Sequence, residues 1–125
     1  AIYGADTLAE IEQGCHAHAA AIGLALNFKQ SNHEGELVTW IQDANGICDG
    51  LIINAGAYTH TSIALMDALT LLDCPIIELH LSNVFAREKF RQHSYISPVA
   101  TGVICGLGAH GYTLAMDAVK RLLDD

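Results

Sequence analysis

Short apolar runs alternate with amphipathic stretches along this chain, and the alternation predicts a parallel α/β architecture. Thr7-Leu8-Ala9-Glu10 has the pattern of a capping box, and Leu8, Ile11, Cys15, Ala19 and Ile22 then recur at helical spacing until Gly23. A strand is expected at Leu24 to Phe28. A second capping pattern, Ser31-Asn32-His33-Glu34, opens a helix through Leu37, Trp40 and Ile41 to about Gly46. A strand from Gly50 to Asn54, a helix from about Thr61 to Leu72 and a strand from Pro75 to His80 follow. Phe85 to Arg91 reads as a short helical turn, Val99 to Cys105 as a strand, Gly106 and Gly108 as a turn, and Tyr112 to Leu123 as the last helix. Strands separated by crossover helices indicate a doubly wound sheet with helices on both faces, a fold that binds ligands beyond the strand carboxyl ends.

The helix from Ile63 to Leu72, IALMDALTLL, carries one charge, Asp67, and is apolar nearly all round. Such a helix is expected to be covered on more than one side, which suggests a subunit interface. Composition narrows the partners. The 125 residues fit one domain, and 51% are hydrophobic, so a sizeable core is expected. The net charge of −8, with only 6 Lys and Arg, disfavours nucleic acid and anionic membranes, which call for a basic face. No apolar run is long enough to span a bilayer, and no secretory signal pattern occurs. Cys15, Cys48, Cys74 and Cys105 are widely spaced without a C-x-x-C pair. They are expected to be reduced packing residues in a cytoplasmic protein.

Two strands run from core into chemistry. After Leu51, Ile52 and Ile53 come Asn54, Gly56, Tyr58, Thr59, His60, Thr61 and Ser62; after Pro75, Ile76 and Ile77 come Glu78, His80, Ser82 and Asn83. A lone His at a strand end is more often structural, but two such ends, each with Asn, His and hydroxyls, point to a site. His60 and His80 with Asp67 or Glu78 match no zinc-ligand spacing, no G-x-S-x-G elbow occurs, and Gly106-Leu107-Gly108 is too short for a phosphate cradle. General acid–base work without a cofactor remains. Arg87 and Arg91, four apart beside the His80 strand end, form a candidate anion seat, although either could simply pair with Glu88. His16, His18, His33, His93 and His110 are assigned no chemistry. Read on its own, Tyr3 is a packing residue.

"IYGADTL", "QSNHEGELVTWI", "NAGAYTHTSIALMDAL" and "IELHLSNVFAREKFRQHSYISPVATGVICGLGAHGY" together resemble type II 3-dehydroquinate dehydratase over essentially the whole chain. The resemblance implies a flavodoxin-like five-stranded parallel fold, usually assembled as a dodecamer of four trimers. It implies dehydration of 3-dehydroquinate to 3-dehydroshikimate without metal or covalent cofactor, a step used in aromatic amino acid biosynthesis by the shikimate pathway and in quinate breakdown. Tyr3 matches the family's proton acceptor and His80 its general acid. Asn54, His60, Asp67, the Leu81-Ser82 segment and Arg91 match substrate-binding positions, with Asp67 reaching a neighbouring subunit's site. A phenol acting as base near neutrality needs roughly 4 kcal/mol of differential stabilisation.

Two departures qualify the match. Ala55 stands where the family often has Pro. Family chains also begin with a strand and loop resembling "NGPNLNLLGxREP", which carry the central strand, a water-holding Asn and a lid Arg, and this sequence starts just beyond them. The expectation is a single domain, residues 1–125, that is part of a longer polypeptide. A flavodoxin-like binding or assembly module that keeps the pocket without turnover is the alternative, and a metallohydrolase using His60 and His80 a third.

Overall fold

A computed structural model describes residues 6–125. Tyr3, and with it the expected proton acceptor, lies outside the described residues. Seven main elements follow in order: α1 (Leu8–Ile22), α2 (Glu34–Ala44), β1 (Leu51–Ile53), α3 (Ile63–Thr70), β2 (Ile76–His80), β3 (Gly102–Cys105) and α4 (His110–Asp124). Short 3-10 turns at Gly56–His60, Val84–Ala86, Lys89–Gln92 and Ser97–Val99 sit in the connections.

The sheet of the described residues is wholly parallel, in the order β1-β2-β3. Ile53 stands opposite Glu78, and His80 opposite Cys105. All five residues of β2 are buried, as the middle strand of a sheet covered on both faces must be. On one face α2 and α3 bring Ile41, Leu65 and Leu69 against Ile76 and Ile96. On the other, Cys15 and Ala19 of α1 meet Met116 of α4, while Ala115 and Val119 pack on Ile77. The α4 backbone lies so close to β2 that a Cβ on Gly111 would stand 2.7 Å from Leu79 Cδ1. Among the described residues no helix is long and apolar enough to cross a membrane.

Local signals hold at α1. Thr7 accepts the Glu10 N–H at 3.1 Å, and Gly23, at φ 79°, closes the helix with its own N–H. The start of α2 differs: Ser31 accepts the His33 N–H, and the helix begins only at Glu34 with His33 as an uncapped lead-in. Leu24 to Phe28 is the larger difference. Leu24, Leu26 and Phe28 pack on the α1–α4 core while Ala25 and Asn27 are exposed, so the side chains alternate as a strand's do. Among the described residues no strand lies alongside, and without a ladder the segment runs as extended chain.

The expected helical turn from Phe85 to Arg91 is split, because Arg87 and Glu88 adopt extended backbone between two 3-10 turns. Arg87 and Arg91 therefore do not share a helix face. In α3, Leu65, Ala68 and Leu69 are buried, but Ile63, Asp67 and Leu71 form an outward stripe at four-residue spacing. Among the described residues this helix is covered on one side only.

Candidate active site

The parallel register places the ends of β1 and β2 side by side, and alternation along β2 decides which residues share a face. Ile77 and Leu79 turn toward α4, so Glu78 and His80, two residues apart, turn together toward the opposite face. Both are buried, at 2% and 6% exposure. His80 Nε2 lies 2.5 Å from Glu78 Oε2. Ser94 Oγ donates to the same oxygen at 2.9 Å, and Ser97 Oγ donates to Oε1 at 2.5 Å. Burial pushes the Glu78 carboxyl up, but the bonds from His80, Ser97 and Ser94 and the charge on His80 outweigh it and hold the group below the usual carboxylate range. A carboxylate only accepts hydrogen bonds, so the geometry assigns a proton to His80 Nε2 and leaves Nδ1 for other work.

His60 arrives from the Gly56–His60 turn that follows β1. Its Nδ1 lies 2.8 Å from the His93 carbonyl, which fixes the proton on Nδ1 and leaves Nε2 as an acceptor. The two imidazoles are nearly parallel, 15° apart in plane with centroids 6.4 Å apart. Tyr95 N–H to Thr59 C=O, at 2.9 Å, ties the same loop to the turn. The Thr59 side chain is fully buried and, among the described residues, its hydroxyl has no partner.

His60, His80, Glu78, Arg91, Ser94 and Thr59 line one small cavity. Arg91 gives its Nε–H to Glu88 at 2.5 Å and rests over the Phe90 ring. Its guanidinium keeps further N–H donors for an anion. Arg87 is exposed and does not line this cavity. Asn54 lies at the end of β1, with Oδ1 accepting from Gly56 N–H and Nδ2 donating to Tyr112 Oη, each at 3.3 Å. Ser82 is buried just past β2, and the Leu81 carbonyl accepts the Gly108 N–H at 3.0 Å. Asn54, Leu81 and Ser82 thus sit at the strand ends without lining that cavity. Asp67 is exposed on α3 and does not line it either. Among the described residues no three His, Cys, Asp or Glu side chains gather as a metal-binding group.

The sequence marks Glu78 only as a possible metal ligand and does not mark Ser94 and Ser97 as its partners. The signal for Glu78 was present: Glu-Leu-His in a strand puts the acid and the imidazole on one face. The serines return from 16 and 19 residues away, which no local pattern reveals.

The fold and site define a parallel α/β protein with a buried carboxylate–imidazole pair at the strand carboxyl ends, suited to proton transfer. The family model for dehydroquinase class II matches residues 1–120. A 3-dehydroquinate dehydratase 2 of Pseudomonas putida is 54% identical over 123 residues, covering 98% of this chain and 83% of that protein. A catabolic 3-dehydroquinase of Aspergillus oryzae is 56% identical over 94% of this chain and 77% of its own. The crystal structure of type II dehydroquinase from Propionibacterium acnes superposes with a TM-score of 0.90 at 36% identity, covering 94% of this chain and 86% of that one. The chain belongs to the class II dehydroquinase family.

Proposed function

We propose that this chain dehydrates 3-dehydroquinate to 3-dehydroshikimate as a hydro-lyase, with His80 as the general acid. The observation that supports this reading most is the buried Glu78–His80 pair at a strand carboxyl end, in a chain of this family. The reaction removes a proton from the carbon beside the ketone and then expels the β-hydroxyl. With Nε2 committed to Glu78, the proton for the departing oxygen comes from Nδ1. That proton exists only on the imidazolium, whose charge the Glu78 carboxylate stabilises. As the C–O bond breaks, the hydroxyl takes this proton and leaves as water, and His80 becomes neutral. Tyr3 is assigned as the base by the family resemblance. The proton it gains and the one His80 loses are exchanged with solvent to close the cycle.

The binding roles follow from the donors and acceptors left over. His60 Nε2 and the second Asn54 N–H orient ring hydroxyls, while Arg91 and the Leu81-Ser82 segment seat the carboxylate. Asp67 is assigned to a neighbouring subunit's site, which agrees with its place in the outward stripe of α3 beside the exposed Ile63 and Leu71. The proposed assembly is a homo-oligomer built on trimers, up to a dodecamer. The test is turnover of 3-dehydroquinate by the purified protein, followed by the ultraviolet absorbance of the conjugated enone product. Tight binding of 3-dehydroquinate without product would favour the binding-module alternative.

A further inference from the structure

The stretch from Arg91 to Ser97 does more than carry Arg91. The His93 carbonyl holds His60 Nδ1, Tyr95 N–H holds the Thr59 carbonyl, and Ser94 and Ser97 hold Glu78. One strap therefore grips the groups behind both histidines. We propose that Ser94 and Ser97 are positioning residues for the general acid, which keep Glu78 ionised and aimed at His80 Nε2. This inference rests on the proposed dehydratase reading for its kinetic consequence, but not for its structural claim.

Ser94 Oγ accepts the N–H groups of Ile96 and Ser97, both at 3.0 Å, so its two acceptor sites are filled. Its one hydrogen must point outward, and it points at Glu78 Oε2. That oxygen already receives His80 Nε2–H, so a further proton could sit on it only if His80 gave up its own Nε2 proton. While His80 keeps that proton, the open site for protonation is Oε1, and Ser97 occupies it as a donor. The two serines thus differ. Ser94 is locked by the turn it caps, and Ser97 governs the oxygen where Glu78 can be neutralised while His80 keeps its Nε2 proton. The titratable or charged groups that line the same cavity are His60 and Arg91 from their turns, and Cys105 is the register neighbour of His80 on β3; α4, with Gly111 and Ala115, packs on the other face of the sheet.

Removing the Ser97 hydroxyl makes Oε1 easier to protonate, and protonated Glu78 withdraws the countercharge from His80. The experiment compares wild type, Ser97→Ala and Ser97→Thr by the pH titration of the Glu78 carboxyl carbon in 13C NMR, alongside kcat against pH. In Ser97→Ala the Glu78 midpoint is expected to rise by about one pH unit, a tenfold gain in proton affinity, the scale of one lost hydrogen bond to a charged group. The acid limb of kcat moves with it, KM holds, and Ser97→Thr restores both. Ser94→Ala also strips the cap of its turn, so its melting temperature is recorded with its titration. A Glu78 midpoint unchanged in Ser97→Ala overturns the proposal, as does a fall in kcat without movement of either midpoint. If the wild type turns over no 3-dehydroquinate, the dehydratase reading fails, and the carboxyl titration still decides the role of the serines.

Discussion

Glu78→Gln isolates the charge of the buried pair from its shape. Glutamine fills the same volume, and its carbonyl oxygen can still accept from a serine. Its amide, however, cannot stabilise an imidazolium as a carboxylate does. The bond it replaces is 2.5 Å long between groups 2% and 6% exposed, so water cannot stand in for it. A hydrogen bond to a charged group is worth about 1.5–3 kcal/mol, which converts to roughly a ten- to hundredfold loss in kcat. KM should change little, because Glu78 acts through His80 and not on the substrate. Stability gives a second reading. The folded-state carboxyl of Glu78 is held low, so its contribution is fully present above the unfolded value of about 4.3 and is lost as pH falls through the lower folded value. The stability gap between wild type and Glu78→Gln should therefore narrow in acid, as chemical denaturation between about pH 3 and 7 would register. A variant with wild-type kcat would refute the role of the charge, and a stability gap that widened on acidification would refute its ionised state.

Three further outcomes are expected. His80→Ala should lose about a hundredfold or more in kcat while substrate affinity holds, measured by steady-state kinetics and binding calorimetry, since its proton is needed only as the hydroxyl departs. Asp67→Ala should reduce both turnover and assembly size in sedimentation velocity, and an unchanged size and rate would remove Asp67 from the interface. Gly111→Ala puts a methyl group 2.7 Å from Leu79 Cδ1, and overpacking there should cost about 1–3 kcal/mol by urea denaturation.

What was legible in the chain was mostly local or strongly patterned. Thr7 and Gly23 bound α1 because a cap is made by residues within four positions of each other. The apolar Pro75, Ile76 and Ile77 before Glu78 and His80 signal a strand buried on both faces, since a covered parallel strand opens on apolar residues without alternation. Leu24 to Phe28 alternates because alternation describes which side chains are covered, whereas a strand is defined by a ladder to distant chain, and among the described residues none lies beside it. The expected turn from Phe85 to Arg91 is split for another reason. Phe85 and Phe90 are 61% and 63% exposed, so the stretch buries no apolar face that would hold a continuous helix together.

The site divides along the same line. His60, His80 and Arg91 could be picked out because histidine and arginine stand out in an acidic chain at strand ends, and the structure lines one cavity with them. The groups bonded behind His80 are commoner residues, a glutamate that the strand pattern shows and two serines that it does not, which folding brings within 3 Å of the Glu78 carboxyl. Their cost is visible in the physics. A buried carboxylate must be satisfied on both oxygens or it protonates, so a strand that places Glu78 beside His80 requires donors from elsewhere in the fold. The strap supplies them while also carrying Arg91, the proposed carboxylate anchor. On the roles proposed for Arg91 and His80, seating the substrate and readying the acid depend on one loop, and a displacement of that loop would disturb both together.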